Sequence, residues 1–147
     1  MRKKTISFSK NAFEERLRRI DEAIEDEDWF SAFANVVTCF EHYGYWAIRF
    51  YCSNENIDLT DKAEDSLKRL GATELSLLLR ILQLICNETY SSMRKVISER
   101  DKIVHPGRRG IRYAEKKKKD EAIMLLKQAK ECLKKIKATH KLKVRKK

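Results

Sequence analysis

Residues that interrupt helices are almost missing from this sequence: 147 residues contain one proline and four glycines. That scarcity argues against a turn-rich fold and, with abundant Leu, Ala, Lys and Glu, favours helix nearly everywhere. No run of about 18 apolar residues occurs, which excludes a membrane-spanning helix by length. Met1, Arg2, Lys3 and Lys4 lead into a mixed polar segment in place of an apolar signal core, so no secretory leader is expected. Cysteine is sparse too. Cys39, Cys52, Cys86 and Cys132 lie 13, 34 and 46 residues apart, a spacing that fits no zinc pattern. Each falls among apolar helical residues, and all four read as buried small hydrophobes of a cytoplasmic, reducing compartment. There is no HExxH, no acidic ligand set and no Cys/His framework, so neither a metal nor another cofactor is expected.

What the sequence has in excess is positive charge, and unevenly. From Arg94 onward there are 21 Lys+Arg against 6 Asp+Glu, while residues 1–93 carry 12 against 16; the two parts make up the net +11. The C-terminal third should therefore attract a polyanion, most obviously nucleic acid. A solvated surface rich in Lys and Glu is the plainer reading of the same charge.

The length is that of one domain, large enough to bury a core without a staple. Asn11 with Glu14 makes a capping box, and Phe13, Leu17, Ile20 and Ile24 mark one face of a first helix ending near Glu25. A long second helix is expected from about Trp29 to Ser53. Phe30, Phe33, Val37, Phe40, Gly44, Ala47 and Tyr51 form its seam, and so many aromatics flank them that it must be covered on more than one side. Asp61 with Glu64 opens a short helix that Gly71 closes, and Thr73 caps the next. Leu75 to Ile85 is apolar nearly all round, the mark of a central bundle helix, and Asn87 and Glu88 break it or bend it. A last helix runs from about Tyr113 past Thr139 on a stripe of Ala122, Leu126, Ala129, Leu133, Ile136 and His140. The whole reads as an all-α, up-and-down bundle of four to five helices with a long C-terminal helix. Residues 1–133 form the bundle, and 134–147, with eight Lys/Arg, form a basic helix end that frays into a tail. His42, among aromatics, and His140 are read as structural.

One stretch stands apart. Glu99 to Arg112 holds the only proline, two of the four glycines, one of the three histidines and five Lys/Arg. The seam of the preceding helix passes through Met93, Val96 with Ile97, Arg100 and Val104, so Arg100 stands where the pattern calls for an apolar residue. A guanidinium on a core-facing stripe is costly unless it is paired or opens into a cleft. Pro106 disfavours helix at His105, so the helix should stop near Val104 with His105 at its negative end. RNA cleavage by its own 2′-hydroxyl needs a base for that proton, a cation for the charge developing on phosphorus and an acid for the leaving 5′-oxygen. His105 suits base or acid, Arg100 the cation, and Asp101 the residue that orients either one. Lys102, Arg108, Arg109 and Arg112 lie beside them as phosphate ligands. Two plainer readings stand alongside: Arg100 pairs with a carboxylate and serves structure only, and His105, Pro106 and Gly107 merely turn the chain.

The R-x4-H spacing of Arg100 and His105, with the polar Asp101 directly after the arginine, resembles the HEPN superfamily. The long aromatic second helix, the motif late in a helix and the further helix after it agree with that resemblance. It implies an all-helical, metal-independent endoribonuclease, working as a homodimer whose two copies of His105 face one cleft. It also implies a possible antitoxin partner, such as a nucleotidyltransferase, and alternatively a non-catalytic RNA- or nucleotide-binding module. One departure from the family is plain. A toxin subgroup has H-x-Y after the arginine, and here Gly107 stands in the tyrosine's place.

Overall fold

The structure, a computed structural model, describes residues 10–104 and 116–144, with side chains described from 12 to 103 and from 116 to 139. These residues form six helices and no strand: α1 (Lys10–Glu25), α2 (Trp29–Asn54), α3 (Asp61–Lys68), α4 (Ala72–Ile81), α5 (Asn87–Val104) and α6 (Lys116–Val144). The architecture is the expected all-α bundle with a long C-terminal helix. The number of helices rises to six because the chain turns between α4 and α5 instead of bending there.

The bundle is built around α2. It packs against α1, α4, α5 and α6, most extensively against α6. Its aromatic excess is thus covered within the chain: Phe33, Val36, Val37 and Phe40 are fully buried, and the Tyr43 ring meets Phe13 of α1 edge-on at 5.1 Å. Burial of side chains of this size stabilises by about 1.5–3 kcal/mol each relative to exposure. Phe30, placed on the seam by its spacing, lies instead at the rim, 39% exposed. Within α2, Asp28 caps the N-terminus by accepting from the Ser31 N–H at 3.2 Å.

Leu75 to Ile85 is not a central helix. α4 stops at Ile81, and it turns Leu75 and Leu79 to the core while Leu77 (46% exposed) and Ile81 (63%) face outward. The stop has a physical cause without a sequence marker. The Leu84 N–H donates to the Leu79 carbonyl and the Gln83 N–H to the Arg80 carbonyl, while Gln83 sits at φ 59° in the left-handed region usually left to glycine. Glu27 after α1 (φ 55°) and Asn56 after α2 (φ 56°) close their helices by the same pair of bonds. Three helix ends are therefore made without glycine.

The short helix α3 is capped by Thr60, whose hydroxyl accepts from the Ala63 N–H, and not by Asp61. Glu64 serves tertiary structure instead, taking Arg49 and Tyr45 of α2 as partners in a half-buried cluster. Gly71, expected to close α3, stands at the start of α4, where Thr73 was expected as the cap. Along α6, Ala122, Leu126, Ala129, Leu133 and Ile136 are buried as the stripe requires. Ile136 is buried and α6 is described as far as Val144. The side chain of His140 lies outside the described residues.

Candidate functional site

α5 carries the part of the candidate site that the structure describes. Its first turn is closed by the Tyr90 N–H donating to the Cys86 carbonyl at 3.0 Å. Its inner face buries Met93, Val96, Ile97 and Ile103. Ile103 is buried on this face, and the side chain of Val104, expected on the seam, lies outside the described residues. Arg100 lies between Ile97 and Ile103 on this face and is half-buried. Its side chain is 31% exposed, and its Nε donates to Asp101 Oδ1 at 2.8 Å, with Asp101 61% exposed. The hydrocarbon stem continues the apolar seam while the guanidinium reaches the rim of the bundle, the usual compromise for a long cationic side chain. Neighbours one residue apart do not face each other on a helix. The pair forms because the arginine is long enough to turn back toward Asp101.

So the structure brings together Arg100 and Asp101, with Lys102 exposed on the next position. His105, Arg108, Arg109 and Arg112 lie outside the described residues. Among the described residues, no group of three or more His, Cys, Asp or Glu side chains is placed to hold a metal ion, and no helix is long and apolar enough to cross a membrane.

The outer face of α5 shows a feature that the spacing of charges did not suggest. A shallow trough of about 410 Å³ runs along it, lined by Ser91, Arg94, Lys95, Ser98, Glu99 and Lys102 and floored by Leu125 of α6. Among the described residues, no side chain pairs with Arg94, Lys95 or Lys102. A signal for it existed. Ser91, Lys95, Ser98 and Lys102 step by three and four, a polar seam opposite the apolar one, but it was submerged in the general basicity of the C-terminal third.

The thiols also divide. Cys39, Cys52 and Cys132 are buried as expected, but Cys86 is exposed. It lies immediately before α5, its sulfur 3.3 Å from the Thr89 hydroxyl. That contact, the Thr89 and Glu88 amides and the nearby Lys135 hold its thiol below the ordinary range, although desolvation opposes them. Cys132, whose Sγ donates to the Thr89 carbonyl at 3.8 Å, is pushed up to about 11, chiefly by burial. A cysteine between a helix end and the next helix start is a capping position, and that was the missed signal. His42 packs edge-on against Tyr43 at 4.9 Å. Burial, aided by Arg16, lowers its pKa below the ordinary value, in keeping with a structural histidine.

Comparison of the chain with protein-family models, with curated proteins and with solved structures gives no match.

Proposed function

We propose that this protein is a metal-independent endoribonuclease of the HEPN type, cytoplasmic and acting as a homodimer. The observation that carries the proposal is the half-buried guanidinium of Arg100. It is steadied by Asp101 on an otherwise apolar helix face, one turn before the helix end that leads to His105. A structural arginine so close to the rim needs no such position, since leucine would fill the seam at lower cost. In the proposed reaction the 2′-hydroxyl attacks the adjacent phosphorus and the 5′-oxygen leaves, giving a 2′,3′-cyclic phosphate and a 5′-hydroxyl end. One His105 takes the 2′-proton, and a second His105 across the dimer cleft delivers one to the leaving oxygen. Arg100 stabilises the charge that develops on the phosphoryl oxygens, and Asp101 holds Arg100 in place. Lys102, Arg108, Arg109 and Arg112 hold the flanking phosphates.

The test is His105→Ala, assayed for RNA decay in excess chelator and checked for folding by circular dichroism. Loss of cleavage in the folded variant, with the wild type active in chelator, supports the reading; undiminished cleavage by the variant overturns it. A second reading is a non-catalytic module that binds RNA or nucleotide, or docks an antitoxin such as a nucleotidyltransferase. The trough on α5 favours it, since cations and hydroxyls line most of that surface. RNA retained without turnover, with affinity falling steeply as salt rises, distinguishes this reading from the first.

A further inference from the structure

Among the described residues, three cations on one face of α5 have no partner, and a furrow runs between them. We propose that the α5–α6 trough is a docking track for the sugar–phosphate backbone of single-stranded RNA. Arg94 and Lys95 would hold one phosphate, Lys102 a later one, and the Ser91 and Ser98 hydroxyls would donate to phosphate oxygens between them. This rests on the ribonuclease reading for its substrate and extends it to residues outside the Arg100–His105 motif.

The geometry favours a polyanion with regularly spaced charges. Arg94, Ser98 and Lys102 follow one another at four-residue intervals, about 6 Å of rise each, comparable to the step between neighbouring phosphates of one strand. Five donors, Ser91, Arg94, Lys95, Ser98 and Lys102, thus line a furrow about three helical turns long. Its volume of about 410 Å³ suits a short stretch of one strand. Leu125 gives it an apolar floor for a sugar face. Glu99 also lines it, and a carboxylate opposes phosphate at that point. It divides the positive charge into two stations, Arg94 with Lys95 on one side and Lys102 on the other. The track ends at Lys102, in the last turn of α5.

Charge alone is not the ground for choosing this face. Some lysines elsewhere on the bundle have acidic partners: Lys119 with Glu27 at 3.0 Å, Lys130 with Asp21 and Lys134 with Glu131 at 3.1 Å. Cations already paired lose part of their attraction for an outside anion. Those of the trough retain theirs, and neutralising a phosphate there releases a counterion without breaking a contact in the protein.

The experiment uses the full-length chain and a fluorescent single-stranded oligonucleotide with 2′-O-methyl riboses, which cannot be cleaved, so binding is read apart from turnover. Arg94→Gln with Lys95→Gln is compared with a control of equal charge change outside the trough, Lys62→Gln with Lys127→Gln. The trough variant should bind about tenfold more weakly at low salt, and its log–log salt dependence should be shallower by about 0.7 to 1.4, the loss of one or two phosphate contacts on a single strand. The control should change affinity far less. Equal weakening in both variants reduces the trough to diffuse charge and overturns the proposal. So does binding of anionic phospholipid vesicles in preference to the oligonucleotide. Failure here is separable from failure of the nuclease reading. Unchanged affinity in the trough variant, with cleavage of ordinary RNA intact, removes the track and leaves the nuclease. Weakened binding in the trough variant of a protein that never cleaves RNA keeps the track and removes the nuclease.

Discussion

α5 and α6 are both basic helices late in the chain, and they use their charge in opposite ways. α6 puts Lys119, Lys130 and Lys134 against carboxylates, and the first two of these join it to Glu27 and to Asp21 of α1. α5 leaves Arg94, Lys95 and Lys102 facing a trough and gives its one half-buried cation, Arg100, the carboxylate next in sequence. Part of the positive charge on α6 is held in ion pairs, whereas among the described residues the cations on the trough face of α5 are not. The lesson is that a count of lysines locates neither a site nor a scaffold, whereas the list of their partners separates the two.

The largest effect that would sharpen this contrast is on turnover. Arg100→Ala should lower the RNA cleavage rate by about a hundredfold or more, the usual consequence of removing one group that stabilises transition-state charge. The ion pair with exposed Asp101 adds little, but the half-buried stem is lost as well, so the same change should cost about 0.5–3 kcal/mol of stability. A stability loss well beyond that, with cleavage unaffected, would place Arg100 in the scaffold with the α6 lysines. Next in size is packing. Leu133→Ala on α6 should destabilise by about 2–5 kcal/mol in urea unfolding, because Leu133 is fully buried. Lys95→Ala on α5 should stay within about 0.5 kcal/mol of the wild type.

The two helices should differ in thiol chemistry as well. Alkylation follows the thiolate, so a depressed pKa makes the reaction rise at lower pH and an elevated one delays it. With iodoacetamide, Cys86 at the head of α5 should label first, with a half-rise below the ordinary thiol range. Cys132 on α6, pushed up to about 11 and buried, should label only as the protein unfolds. Cys86→Ser should abolish the fast phase; persistence of that phase would mean that the thiol environments are not as described. The smallest effect tests the α6 bridges. Lys130→Gln, which releases Asp21, should lower stability by about 0.2–1 kcal/mol and leave oligonucleotide affinity nearly unchanged.

Much of the bundle was legible because helix faces repeat. The seams of α1, α2 and α6 and the anomalous place of Arg100 follow from steps of three and four in the residues themselves. What escaped was chiefly where helices stop. Glu27, Asn56 and Gln83 take the left-handed turn that glycine normally marks, so the break after α4 was hidden in an apolar run and that helix passed for a central one. Gly71 misled in the other direction, since it precedes a helix instead of following one. The trough was illegible for a different reason. It depends on which cations lack carboxylate neighbours, and those neighbours come from other helices. The exposed position of Cys86 escaped likewise, since apolar neighbours in sequence do not guarantee apolar neighbours in space. Arg108, Arg109 and Arg112 are proposed from sequence alone, on the strength of their nearness to His105.

The dependence of α2 on α6 has a consequence during synthesis. The most aromatic segment of the chain, complete by Asn54, keeps one flank bare until a helix reaching beyond Ile136 is available to cover it. A nascent chain must therefore carry an unsatisfied apolar surface until α6 has emerged, a state in which chaperone binding or association with a neighbour competes with folding. This order of events withholds the finished bundle until α6 has been made.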